Sequence, residues 1–152
     1  MLLNTYLLFD GQCEAAFKLY ARLFNGKIEA MIPHAGSPAE QQVPPEWRQK
    51  IMHARLVVKD QVLMGSDAPP GRYRHPQGFS VSIQVNEATE AERVFKELSD
   101  KGNAVMPIQE TFWATRFGML VDQFGIPWMV NCPKEEYLQK PEDAEVPRAR
   151  AS

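Results

Sequence analysis

One internal repeat constrains this chain more than any other feature. Sliding the sequence on itself by 76 positions sets Phe9 on Val85, Asp10 on Asn86, Glu14 on Glu90, Ala15 on Ala91, Leu19 on Phe95 and Gly26 on Gly102. A repeat of this kind is a statement about fold, because each copy is one structural unit that needs its neighbour to bury an apolar face. In the first copy, "LNTYLLF" (3 to 9) has strand character. "GQCEAAFKLYARLF" (11 to 24) then places Ala16, Phe17, Tyr20, Leu23 and Phe24 on one helical face, with Asp10 as an N-cap and Gly26 beyond the end. In the second copy "GFSVSIQV" (78 to 85) alternates, Asn86 can cap, and Ala91, Val94, Phe95 and Leu98 share a helical face. Three candidate strands follow each helix: "KIEAMIP", "IMHARLVV" and "QVLMGS", then "NAVMPIQE", "WATRFGMLV" and "IPWMVNC".

The expected fold class is therefore α+β, two βαβββ modules (1–70 and 76–133) within one domain spanning 1–134, with 135–152 as a C-terminal tail. "VKDQV" and "VDQFG" are read as matching hairpin turns. The modules differ chiefly in "HAGSPAEQQVPPEWRQK" (34 to 50), a long polar connection read as either a functional flap or a mobile loop.

Charge and cysteine content narrow the partners. With 17 basic and 19 acidic residues the net charge is −2, which argues against general attraction to nucleic acid or to an anionic membrane. No run reaches transmembrane length and the start lacks a secretory pattern. Cys13 and Cys132 are too few and too far apart for a zinc cluster or a disulfide framework, so they are read as reduced thiols of a cytoplasmic protein.

Alternation assigns faces. Phe79, Val81, Ile83 and Val85 are expected beneath a helix, which leaves Ser80, Ser82 and Gln84 on the other face together with their counterparts Asn4, Tyr6 and Leu8. In 51–58, Met52, Ala54, Leu56 and Val58 are assigned to the helix and Ile51, His53, Arg55 and Val57 to the opposite face. In 113–121, Thr115, Phe117, Met119 and Val121 join Trp113 as the apolar set expected to be buried. Phe112 and Trp113 are neighbours, so one of them faces a cavity or an interface. Trp128 is expected in the core and Met129 in the cavity.

The repeat, together with "GQCEAAFKLY", "HARLVVKDQVLMGSD", "GFSVSIQV" and above all "QETFWATRFGMLVDQFGIPWMVN", resembles the PhnB-like branch of the vicinal oxygen chelate superfamily, which includes glyoxalase I, extradiol dioxygenases and bleomycin-resistance proteins. The resemblance implies curved, incomplete-barrel sheets with helices on the convex face, a cavity on the concave face, and a homodimer. This branch often carries a demethylubiquinone methyltransferase label. The chain lacks the Gly-rich loop after a strand, and the acidic partner, that a nucleotide-like methyl donor requires.

The superfamily's enzymes hold a divalent metal with His, Gln or Glu on inward strand positions. Carried over by position, those ligands fall near Asn4, Thr5 or Tyr6, near Phe79 or Ser80, and near Met129. These are poor donors for a hard or borderline cation. His34 and His75 fall in loops and only His53 is on a strand, so no metal and no cofactor is expected. A rescue would join His53 to Asp67 or Glu110. His53 with a carboxylate is also the one candidate general acid or base, against a structural histidine bonded to backbone or to Asp67. The expected ligand-binding set is Tyr6, His53, Asp67, Ser82, Gln109, Glu110, Phe112, Trp113 and Met129, suited to a small aromatic or amphipathic molecule. Two other readings stand beside this binder: a metal-dependent lyase, isomerase or dioxygenase with non-standard ligands, and a non-catalytic dimeric interaction protein.

Overall fold

The computed structural model describes residues 1–138. The part of the expected tail from 139 onward lies outside the described residues, and Glu135–Tyr137 form one 3-10 turn.

The first module comprises β1 (Thr5–Phe9), α1 (Cys13–Leu23), β2 (Lys27–Pro33), β3 (Ile51–Val58) and β4 (Gln61–Asp67); the second comprises β5 (Val81–Gln84), α2 (Ala88–Ser99), β6 (Asn103–Gln109), β7 (Ala114–Val121) and β8 (Pro127–Pro133). Each builds a four-stranded mixed sheet, ordered β1-β4-β3-β2 and β5-β8-β7-β6, that does not close into a barrel. In both, the first strand runs parallel to the last and the other pairings are antiparallel. The two βαβββ modules expected from the repeat are present, as an α+β fold.

The 76-residue slide holds for β1 on β5 and for β2 on β6, is lost in the last two strands of each module because the 34–50 connection has no counterpart, and slips in the helices, although equivalent contacts form throughout. Leu7 pairs with Gly65 as Ile83 pairs with Val130, and a side chain on Gly26 or Gly102 would strike the Val57 or Val121 carbonyl oxygen, at 2.9 and 2.4 Å. Yet the slide sets exposed Ala15 on buried Ala91. Each helix instead turns its own 3.6-residue stripe inward: Cys13, Ala16, Phe17, Tyr20 and Leu23 in α1, and Ala91, Val94, Phe95 and Leu98 in α2.

The capping expectation is also corrected. Neither helix has a side-chain cap from its own flank, and Gln12 and Glu87, not Asp10 and Asn86, occupy the cap positions. The first amide of α1, that of Cys13, donates instead to Asp67 Oδ1 at 2.9 Å, while the Ile51 amide donates to Oδ2 at 2.8 Å. Asp67 thus stitches the end of β4 to the start of α1 and of β3, and Ile51, assigned to the opposite face, lies in the core.

The core runs continuously through both modules. Tyr20 of α1 packs edge-on against Trp128 of β8 with centroids 5.1 Å apart. Its hydroxyl donates to Asp122 in the β7–β8 turn, and Arg93 of α2 donates to the Leu23 carbonyl at 3.2 Å. Asp122 is fully engaged: Oδ1 accepts the Phe124 and Ile126 amides at 2.8 and 3.0 Å, and Oδ2 accepts the Trp128 indole at 2.8 Å as well as Tyr20. Both predicted hairpins form, but the aspartate of the first, Asp60, is on the surface beside Gln61. The long connection 34–50 is tied down by two 3-10 turns, by the His34 and Ala35 amides donating to Lys50 and Arg48, and by Trp47 and Lys50 lying over Gly11.

The outer strands β2 and β6 each slip register twice, between Ile28 and Ala30 and between Ile32 and Pro33 in one, and on either side of Met106 in the other.

Candidate functional site

Residues paired across neighbouring strands share a face of the sheet, so the registers identify what each helix-free face displays. In the second module two rows cross all four strands. One is Ser82, Met129, Met119 and Met106, and the other is Gln84, Asn131, Phe117 and Gln109. Their opposite is the helix side, where Val81, Trp128 and Leu120 pair across the strands. Gly118 is on that side too, close enough to α2 that a Cβ would sit 2.6 Å from the Phe95 ring. In the first module the corresponding row is Tyr6, Met64, Arg55 and Ala30.

These registers overturn the face assignment of β7. Phe117, Met119 and Val121 face away from α2, whereas Gly118 and Leu120 face it; both sets are apolar, so hydropathy alone chose wrongly. Arg116 is on the α2 side, donating to Glu92 at 2.7 Å. Phe117 is nonetheless only 9% exposed, because the Trp113 ring packs edge-on against it at 5.2 Å and Phe112 packs on Trp113 at 4.8 Å. Phe112 itself is 74% exposed. Trp113 and Phe117 therefore form an aromatic wall at one end of the helix-free face, while Trp128 belongs to the core.

The polar members of that face bond in series. Asn131 Nδ2 donates to Gln84 Oε1 at 2.8 Å and Gln84 Nε2 donates to Ser82 Oγ at 2.8 Å. Asn131 Oδ1 is shielded from solvent and has no partner among the described residues.

The expected site residues divide. Ser82, Gln109, Trp113 and Met129 come together on or beside this face, with Phe112 outside Trp113. Glu110 is at the exposed edge, paired to Lys134 at 2.9 Å, and that hydrogen bond holds its carboxyl below the usual range. Tyr6 and His53 are on the first module's sheet, where the Tyr6 hydroxyl is 3.2 Å from His53 Nδ1 and the rings stack at 5.8 Å. Asp67 does not join them. It pairs with Phe9, whose side chain is buried in the core, and both its oxygens are spent on backbone amides. Among the described residues His53 makes its side-chain hydrogen bond to Tyr6 and not to a carboxylate, so the candidate His53–Asp67 and His53–Glu110 pairs are not formed. Gln84, Asn131, Phe117 and Met119 were missing from the sequence-derived set. The alternation already put Gln84 on this face, whereas Asn131 needs the parallel β5–β8 register to be found.

A superfamily metal finds no donor set here. The carried-over positions are Asn4, Thr5, Tyr6, Phe79, Ser80 and Met129, and no three of His, Cys, Asp and Glu converge among the described residues. A cavity of about 490 Å³ opens between the modules, lined by Thr5, Phe24 and Val62 on one side and by Ser80, Ser82 and Gln84 on the other. It brings Ser82 and Gln84 to the boundary of the two sheets. Among the described residues no helix is long and apolar enough to cross a membrane.

Comparison with known proteins agrees with this architecture. The model of the family described as 3-demethylubiquinone-9 3-methyltransferase matches residues 2–131. Protein YjdN of Escherichia coli strain K12 is 33% identical over 147 residues, covering 91% of this chain and all of that protein. The crystal structure of protein PA1353 from Pseudomonas aeruginosa superposes with a TM-score of 0.79 at 44% identity, over 88% of this chain and 98% of that one. A PhnB protein from Bacillus cereus gives 0.74 at 22% identity, over 87% and 99%. At the level of fold alone, a glyoxylase/bleomycin resistance protein/dioxygenase domain from Frankia gives 0.62 at 11% identity, over 88% and 98%.

Proposed function

This chain belongs to the 3-demethylubiquinone-9 3-methyltransferase family, the PhnB-like branch of the vicinal oxygen chelate superfamily, and from that premise we propose that it is a metal-free, cytoplasmic, dimeric protein that binds a small aromatic or amphipathic molecule. The helix-free face of the second module carries this reading. Trp113 and Phe117 supply an aromatic wall, Met119 and Met129 a deformable apolar floor, and Ser82, Gln84 and Asn131 a polar strip. Such a mixture of apolar surface with a few convergent polar groups is typical of a small-molecule site.

Dimerisation is supported by the apolar surface left uncovered on the open sheets. Tyr6, Leu8, Ile32 and Met106 are 43%, 47%, 43% and 37% exposed, and large exposed apolar groups mark surfaces that a partner covers. The methyl-transfer activity in the family's description is not part of the proposal. The β1–α1 and β5–α2 connections are Asp10-Gly11-Gln12 and Val85-Asn86-Glu87, which contain no Gly-rich turn to cradle a nucleotide-like donor.

Native mass spectrometry of protein purified without chelator tests the proposal in one measurement. The expected species is a dimer without metal. Stoichiometric metal would overturn the metal-free reading in favour of a lyase, isomerase or dioxygenase. A monomer would overturn the dimer.

A further inference from the structure

Resting on the dimeric reading and deepening it, we infer that two copies of this chain exchange their N-terminal arms, residues 1–4 of each adding as a short strand to the open edge of β5 in the other. The cavity of about 490 Å³ between the modules is the receiving groove, and Ser80, Val81, Ser82, Ile83 and Gln84 all line it. Successive strand residues point to opposite faces, so a cavity touched by five in a row runs along the strand's edge and meets its backbone. β5 is the end strand of its sheet and pairs only with β8 among the described residues. The Val85 amide donates to the Asn131 carbonyl of β8 at 3.0 Å. Backbone groups alternate between the two sides of a strand, so Val81 and Ile83 also turn theirs to β8. The N–H and C=O groups of Ser82 and Gln84 are left facing the groove without a strand partner. Phe24, Leu56, Leu63 and Trp128 add apolar lining. An edge with free amides and carbonyls beside an apolar bed takes an extended segment by adding it as a further strand.

The arm supplies such a segment. Leu2 and Leu3 are 87% and 93% exposed, and Met1 is bare beside them, ahead of Thr5, the first residue of β1. Large apolar side chains grouped in water mark a surface that a partner covers. Thr5 itself lines the groove, so each arm is rooted at the mouth of its own chain's groove and leaves that groove open. Four extended residues span about 13 Å, which matches the four-residue length of β5. Two copies laid with these mouths together bring each arm within reach of the other's groove. The exchange then closes on itself about a two-fold axis.

Cysteine pairs test the exchange in the full-length protein, where the native Cys13 and Cys132 are buried and do not compete. Leu2→Cys and Leu3→Cys proteins are each mixed with Ser82→Cys protein, oxidised after subunit exchange and run on non-reducing gels. Because neighbours alternate, one of the two arm positions shares the Ser82 face. A covalent heterodimer joining the arm to position 82 is expected. No cross-chain link from either mixture would overturn the exchange, as would a link that closes within one chain when both cysteines are placed in it. Sedimentation gives a second readout. Leu2→Ser combined with Leu3→Ser, at positions that folding leaves bare, is expected to raise the dimer Kd at least about tenfold. Ser82→Pro, which removes an amide facing the groove and none from the β8 ladder, is expected to do the same. If both variants dimerise as tightly as the native chain, the arm exchange fails while the dimer stands. If the native chain is monomeric throughout, both fail.

Discussion

Converting Asp122 to asparagine is the sharpest test of how the two modules are joined. In the native protein Oδ1 serves the turn amides of Phe124 and Ile126, and Oδ2 accepts from Trp128 Nε1 and from the Tyr20 hydroxyl. An asparagine that keeps its oxygen on the turn must point its NH2 group at two donors. The Tyr20 hydroxyl can rotate to accept, but the indole N–H of a 1% exposed Trp128 cannot. Leaving that donor unpaired costs about 1–3 kcal/mol, and replacing a charge-assisted bond to Tyr20 by a neutral one costs about 1 kcal/mol more. Asp122→Asn is therefore expected to lose about 3 kcal/mol, a large part of the ~5–15 kcal/mol typical of a domain. Tyr20→Phe leaves the carboxylate three donors and is expected to lose about 1.5 kcal/mol, the loss of one hydrogen bond to a charged group. In the Tyr20→Phe background the asparagine should cost about 1 kcal/mol less than in the native one, because part of what it disrupts is already gone. Urea unfolding followed by far-UV circular dichroism measures all four proteins. A loss below about 0.5 kcal/mol for Asp122→Asn, within the range of an ordinary surface change, or strict additivity of the pair, would refute the clasp.

Alkaline stability and backbone crowding give two further tests. Burial, with Asp122 alongside, pushes the Tyr20 hydroxyl well above its ordinary value, and burial, with Asp67 alongside, pushes the Cys13 thiol up strongly. Both groups hold their protons more tightly in the folded chain, so their contribution is complete below the unfolded thiol value of about 8.5 and is lost as pH rises above it, more steeply past about 10 where unfolded tyrosine ionises. Urea midpoints should fall across that window, and Tyr20→Phe should flatten the upper part; a midpoint constant up to about pH 10.5 would refute the assignment. Gly118→Ala drives a Cβ to 2.6 Å from the Phe95 ring with the Ile108 backbone 3.1 Å away, and is expected to cost about 1–3 kcal/mol by overpacking, read as a lowered Tm. An unchanged Tm would mean that α2 does not press on β7 as described.

Local patterns carried the fold and part of the site. β2 and β3 have the bounds their alternation predicted, the stripe of α2 is the one the 3.6-residue period marked, and that of α1 matches it except that Cys13 joins the stripe and Phe24 falls at the C-cap. Tyr6 and Ser82 are on the helix-free faces as alternation required, because each neighbours a residue apolar enough to show which side is inward. β7 defeated the same logic. Its two faces are both apolar, and the deciding fact is a ring in α2 that only a glycine can accommodate. Asp67 defeated it differently: an acidic residue at a strand end looks like a site residue until the amides of Cys13 and Ile51, 54 and 16 positions away, are brought to it. Asn131 gains meaning only through the parallel pairing that sets it beside Gln84. The reading fails where the determining contact is between residues that alternation treats independently.

The doubled register slips in β2 and β6 have a bearing on the chain's behaviour at high concentration. Each of these strands is one of the two edges of its sheet, β1 and β5 being the others, and unpaired backbone groups at an edge invite another molecule to add a strand and begin a fibre. A rim that breaks step twice within seven residues, with Pro107 removing an amide from one and Pro33 closing the other, offers an incoming strand no long straight template. Each sheet thus has one border that resists open-ended growth, so that strand addition at β2 or β6 is disfavoured in a protein with bare aromatic and thioether surface elsewhere.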